Sequence, residues 1–429
     1  MAAVAAIRNR DCTVSALTEG FLARIAADNP KINALRDSDA DLAIQAARGL
    51  DLRMEQGCEI GPLFGLPVVI KENCDTAGYA CSAGLGFRTD HRPAQDSWVT
   101  ARLRAAGAVI LGTSISDPGA FGVKTAEVVH PLDPALTVGG SSGGSAAALA
   151  SGLCLGAIGT DTGGSIRIPS ACCGTVGLKP TFDALPMSGI FPLVPSLDHA
   201  GPMARTVADT ALLWSALCGQ PMAVPRPVRR VGVDPAWVAD ADAPIRAGFA
   251  ALLDRLTNAG IEVHATALPD IGSVWDTHGD VFLVESAAWH LARFADQRHQ
   301  YPTLAQDGFD IAEAMQVERY IKACRGRVLA RQRVNALFDT VDLILTPTLS
   351  VYLPPKDSET LLVNGTPADY VMALVRQTAL FNVTGHPSLA MPLPIQGAKV
   401  APSLQIIGRF GAEQQILGFG TWLETGQPN

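Results

Sequence analysis

Along the first third of the chain, apolar positions alternate between helical spacing and short unbroken runs. Residues 14–27 repeat apolar side chains at helical intervals behind Thr13, which suits a helix N-cap, and Asn29-Pro30 is expected to stop that helix. Residues 39–56 carry a second, alanine-rich helical pattern. Residues 66–70, Leu-Pro-Val-Val-Ile, read as a short buried strand that ends at Lys71. A helix over 98–106 then feeds a strand over 108–111. This rhythm predicts a sheet with helices on its faces.

The middle of the chain is glycine-rich. Residues 145–152 read as a tight helix of small side chains, and 155–160 as a buried strand delivering a glycine turn. Functional loops are expected where such strands end. The proline-rich stretch 221–227 is the best linker candidate. Beyond it come a strand at 228–233, a helix at 243–259 and a strand at 261–265. Long helices are expected at 284–298 and 316–338, strands at 341–345, 388–392 and 403–407, and a closing helix at 412–424.

Composition narrows the function classes. With 429 residues, 48% hydrophobic and 17% charged, the chain can bury a large core, as one big α/β domain or as two to three ordinary ones. The 33 basic and 41 acidic residues leave a charge of −8, and no basic run marks a nucleic-acid surface. Nine cysteines without a C-x-x-C pair read as buried thiols in a reducing compartment. The start of the chain lacks the pattern of a secretion signal, and no window reaches the roughly 18 apolar residues of a membrane span. A cytoplasmic protein without membrane contact is expected. The eight histidines form no H-E-x-x-H or close pair, so no metal site is expected.

Candidate chemistry lies in three places. Gly139-Gly140-Ser141-Ser142-Gly143-Gly144-Ser145 holds one serine turn. Gly159-Thr160-Asp161-Thr162-Gly163-Gly164-Ser165-Ile166-Arg167 holds another, 24 positions on from Ser141 to Ser165. Lys71 follows the apolar strand upstream. Amide hydrolysis needs a nucleophile, donors for the developing oxyanion and a proton for the leaving amine. Ser165 suits the first need. The backbone N–H groups of Thr162, Gly163, Gly164 and Ser165 suit the second, because glycines let a carbonyl approach closely. A lysine made neutral by burial, acting through Ser141, suits the third. Read singly, each feature has an ordinary explanation: a snorkelling lysine, a flexible turn, an Asx turn opening a helix. Their joint occurrence favours acyl transfer. Asp161 is read as ordering its turn, and Arg167 as a buried structural arginine rather than a clamp for a substrate carboxylate.

These stretches resemble the amidase signature family. The likeness includes both serine turns, Gly174-Thr175-Val176-Gly177-Leu178-Lys179-Pro180-Thr181 and Pro195-Ser196-Leu197-Asp198-His199-Ala200-Gly201-Pro202, with weaker echoes around 341–347, 382–392 and 403–408. It thus covers nearly the whole chain. It implies a single α/β/α domain over residues 1–429, with a large mixed sheet between helices, which turns the stretch 221–227 into a surface excursion. It implies a triad of Lys71, Ser141 and Ser165, an oxyanion hole at Thr162, Gly163, Gly164 and Ser165, and a non-proline cis peptide matching Gly140–Ser141. A small-molecule amide substrate, no cofactor and a homodimer are the corresponding expectations; urea- and carbamate-like substrates stay open. Two departures stand out. Residues 121–137 do not match the family's asparagine-rich version, and Glu72 follows the lysine where aspartate is commoner.

Rival readings are weaker. Gly139-x-Ser141-x-Gly143 and Gly140-x-Ser142-x-Gly144 fit a nucleophile elbow, but residues 131–137 make a poor preceding strand. No Gly-Lys-Ser/Thr follows the glycines, as a phosphate loop requires. Within the family, the amide-transferring component of a tRNA-dependent amidotransferase is an alternative, for which the chain reads as short. A hydrolase of carboxylated biuret is another, on a loose likeness at Val363-Asn364-Gly365-Thr366. A non-catalytic binding module would require a broken triad.

Overall fold

The computed structural model describes residues 2–58, 60–222, 226–393 and 399–426. Within them the strands, in chain order, are β1 (Leu35–Asp37), β2 (Pro67–Lys71), β3 (Val109–Ser114), β4 (Gly156–Asp161), β5 (Val176–Lys179), β6 (His199–Ala204), β7 (Arg230–Val233), β8 (Glu262–Ala265), β9 (Leu343–Pro347), β10 (Thr360–Val363), β11 (Thr366–Asp369), β12 (Ser388–Pro392) and β13 (Ser403–Ile407). Eleven of them form one mixed sheet in the order β1-β3-β2-β4-β6-β5-β12-β13-β9-β7-β8. Strands from both sides of 221–227 therefore share a sheet; residues 223–225 of that stretch lie outside the described residues. β10 and β11 make a separate antiparallel hairpin, turned at Asn364-Gly365 with both residues at positive φ, as a two-residue loop of this kind requires.

Both faces of the sheet are buried. In β2, Val68 and Ile70 enter one apolar cluster and Val69 another. In β9, Leu343 and Leu345 join the first cluster and Ile344 a third. Strands covered on both sides read as unbroken apolar runs, which is how 66–70 and 343–345 look in the sequence. Helices Trp98–Ala105, Val207–Cys218, Ala243–Asn258 and Glu413–Thr425 supply the first cluster. Helices Val14–Ile32, Ala40–Glu55 and Gly143–Ala150 supply the second, and Arg167–Cys173 and Val317–Leu337 the third. The architecture is the expected α/β/α sandwich.

Several boundaries differ from expectation. The first long helix runs through Pro30 to Ile32, and Asn33 ends it in the left-handed conformation with its N–H on Asn29 O. A proline in the last turn removes one donor but leaves the left-handed cap to do the stopping. The helix expected at 284–298 starts much earlier, at Ile271, where Asp270 caps it by accepting from Ser273 N. Helices Val207–Cys218 and Thr303–Ala314 and strand β6 were not anticipated from periodicity.

Candidate active site

Neighbouring parallel strands set the first half of the site. β2 and β4 pair with Ile70 opposite Ile158, so Lys71 and Thr160 emerge side by side at the carboxyl ends. Lys71 is fully buried. Its Nζ lies 2.7 Å from Ser141 Oγ and 2.8 Å from Thr160 Oγ1. Asn73 Nδ2 donates to the same threonine hydroxyl at 3.1 Å. Burial pushes the Lys71 amine down from 10.5 to about 8; Cys74, Asp117, Asp161 and Asp198 act in the opposite sense. Ser141 follows a cis Gly140–Ser141 peptide and precedes the helix Gly143–Ala150.

The serine turn is held at backbone distance. A Cβ on Gly144 would collide with the carbonyl oxygen of Ala34, so the first turn of its helix fits only without a side chain there. Ser142 and Ser145 do not cap the helix. Their hydroxyls donate to Thr160 O at 3.2 Å and Ile158 O at 3.1 Å, tying the helix start to β4. Glu72, just past Lys71, is buried as well. Its carboxylate accepts from Ser116 N at 2.8 Å, Arg36 Nε at 3.2 Å and the Ser82 hydroxyl. The residue that departs from the family's aspartate thus anchors the end of the lysine strand.

The second half is a loop wound around one carboxylate. Asp161 accepts from Arg167 Nε at 3.0 Å and Nη2 at 2.9 Å, from Asn382 Nδ2 at 2.8 Å, and from the backbone N–H of Gly164 at 2.8 Å and Ile166 at 3.1 Å. Burial would raise this carboxyl, but the Arg167 guanidinium and these hydrogen bonds hold it well below the usual carboxylate range. Arg167 is itself buried and reaches Thr378 O, Gln405 Oε1 and Asn382 Oδ1. Every arm of its fork is engaged within the protein, as a structural arginine requires.

This arrangement divides the four residues expected to form the oxyanion hole. Thr162, Gly163 and Ser165 line a cavity of about 300 Å³, and among the described residues their backbone N–H groups meet no protein acceptor. Gly164 does not line it. Its N–H points to Asp161, and its φ of 138° favours glycine. A hydrogen bond of 3.2 Å from Ser142 N to Ser165 O joins the two serine turns.

Two buried groups brace the loop from outside. Thr162 Oγ1 donates to Asp198 Oδ1 at 2.6 Å, and burial raises the Asp198 carboxyl to about 6. His278 Nε2 lies 3.1 Å from Thr162 O, and burial lowers its imidazole to about 4, leaving a neutral ring that donates to that carbonyl. Apolar side chains form most of the cavity wall, among them Phe121, Ile168, Leu193, Phe282 and Val375. Phe121 and Val123 come from the segment that departs from the family pattern.

The Amidase family model matches residues 16–417. The chain belongs to the amidase family. AmiD of Mycobacterium tuberculosis is 32% identical over 433 residues, spanning 96% of this chain and 91% of that one. A glutamyl-tRNA(Gln) amidotransferase subunit of Chloroflexus aurantiacus is 32% identical over 467 residues, spanning 98% and 94%. A crystal structure of an amidase superposes with a TM-score of 0.92 at 30% identity, covering 99% of this chain and 98% of that one. The present amidase is accordingly a hydrolase of carbon–nitrogen bonds in amides. Chain length does not set it apart from the amidotransferase subunit, contrary to expectation, because the alignment covers nearly all of both.

Thr160, Asn73, Asp198 and His278 were not singled out from the sequence. Thr160 and Asp198 lie inside the motif stretches and Asn73 two positions beyond Lys71; strand alternation places Thr160 opposite to Asp161. His278 sits in an unremarked part of a helix, and nothing local points to it.

Proposed function

We propose that Ser165 is the nucleophile of an acyl-enzyme mechanism, Ser141 its proton relay and Lys71 the base. The observation that carries this reading is a fully buried amine 2.7 Å from the Ser141 hydroxyl, with its ammonium form destabilised by burial. Neutral Lys71 accepts the Ser141 proton as Ser141 accepts that of Ser165. Ser165 Oγ then bonds to the amide carbon. The oxyanion is received by the N–H groups of Thr162, Gly163 and Ser165, while Gly164 contributes by bending the loop onto Asp161. Losing one such donor costs on the order of 3 kcal/mol of barrier. Collapse breaks the carbon–nitrogen bond, and the amine leaves with the proton returned through Ser141. Water hydrolyses the ester by the same relay, regenerating Ser165. No step needs a cofactor. The substrate is a small amide whose acyl part fills an apolar cavity.

A fluorophosphonate tests the nucleophile. Wild-type enzyme should carry one adduct, located at Ser165 by mass spectrometry, and Ser165→Ala should lose both adduct and turnover while keeping its circular dichroism. Turnover by Ser165→Ala would remove Ser165 from this role. The extended likeness to the amidotransferase subunit favours one second reading, amide transfer within a complex. Steady hydrolysis of simple amides by the isolated chain excludes it.

A further inference from the structure

The cavity that holds Ser165 has a charged outer wall with a particular internal balance. Asp280, on the helix Ile271–Phe294, and Arg319, on the helix Val317–Leu337, both line it. Arg319 Nε donates to Asp280 Oδ2 at 2.9 Å, and Nη2 lies 2.6 Å from Oδ1, a two-point pairing of fork and carboxylate. The aspartate side chain is 11% exposed and the arginine 57%, so the anion is fixed in the wall and the cation lies across it from the solvent side. Among the described residues lining the cavity, Arg319 is the one lysine or arginine. The remaining ionisable wall residues are Asp276 and Asp369, both exposed, and neutral His278. Arg167, the buried arginine nearest in sequence to Ser165, is outside the lining and fully committed to Asp161 and its neighbours.

We propose that Asp280 sets the charge specificity of this amidase: by occupying the Arg319 fork it leaves the wall without a free cation, so the enzyme takes amides with uncharged, apolar acyl groups and rejects those that carry a carboxylate. The inference rests on the acyl-enzyme reading of the same cavity. A carboxylate entering the site would face Asp276, Asp280 and Asp369 with one guanidinium already paired. Freed from Asp280, the same guanidinium is a ready two-point partner for a substrate carboxylate. Asp280 is thus a specificity residue acting through Arg319.

Ratios of kcat/KM test this. The substrates are para-methyl, para-carboxylate and para-aminomethyl versions of benzamide and of 3-phenylpropionamide, two lengths so that reach is covered. Ratios within one preparation do not depend on how much of a variant is folded. Wild type should prefer the methyl compounds over the carboxylates by about tenfold or more. Asp280→Asn should raise the carboxylate-to-methyl ratio by about tenfold, and adding Arg319→Gln should abolish that gain. Arg319→Gln alone leaves Asp280 unpaired and should raise the aminomethyl-to-methyl ratio instead. Equal or better use of carboxylates by wild type, or unchanged ratios in both single variants, would overturn the proposal while leaving the mechanism standing. Absence of amide turnover together with absence of a Ser165 adduct would overturn both.

Discussion

Replacing Lys71 with methionine separates a buried neutral amine from an ordinary charged one. The side chain is fully buried, and its ammonium titrates near 8 rather than 10.5. The folded protein therefore binds this proton more weakly than the unfolded chain does. Between those two values the unfolded state holds more protons, so stability rises with pH across that window. The full shift is worth about 3 kcal/mol, a penalty present in full below the folded value and relieved above the unfolded one. Between pH 7 and pH 9 the relief amounts to about 1 kcal/mol. Methionine is similar in size and does not titrate. At pH 7 its effect on absolute stability is the small difference between removing that penalty and leaving the Ser141 and Thr160 hydroxyls without their amine, at about 1–3 kcal/mol each. The pH slope escapes this cancellation: the other titrating groups are present in both proteins, and Asp198, which the amine pulls down, rises on substitution and moves the difference in the same direction. Urea unfolding at pH 7, 8 and 9 and constant ionic strength should show wild type gaining about 1 kcal/mol on Lys71→Met. Parallel stabilities over that range would refute the depressed lysine, and with it the base in the mechanism.

Two further outcomes follow from the same network. Thr160→Val removes a hydrogen-bond acceptor 2.8 Å from Lys71 Nζ, and kcat/KM should fall by about 10- to 100-fold. Because the ammonium form loses a partner, the rise of kcat/KM with pH should also move to lower pH, and Thr160→Ser should restore both. Arg167→Met leaves the buried Asp161 carboxylate unpaired, and chemical denaturation should report a loss of about 3–5 kcal/mol.

The uneven legibility of this fold has a physical origin. Both serine turns and the lysine strand were readable because each lies in one contiguous stretch whose glycines and apolar run have a local cause. Pairing them was a different matter. Lys71 meets Thr160 only because β2 and β4 run parallel with Ile70 opposite Ile158, and register between strands some 90 positions apart leaves no local trace. Helix Val207–Cys218 escaped because it is apolar almost all round, so no 3.6-residue period shows. The start of the helix at Ile271 escaped for the opposite reason: Gly272, Thr277 and Gly279 weaken its propensity, and packing restores what the local sequence withholds. That same stretch supplies His278, Asp280 and Phe282 to the cavity, and Arg319 comes from a separate helix. The groups proposed to break the amide bond thus sit on strand ends and tight turns, which demand particular residues. The side chains that line the cavity opposite them sit on helices that tolerate many, and there sequence pattern is weakest.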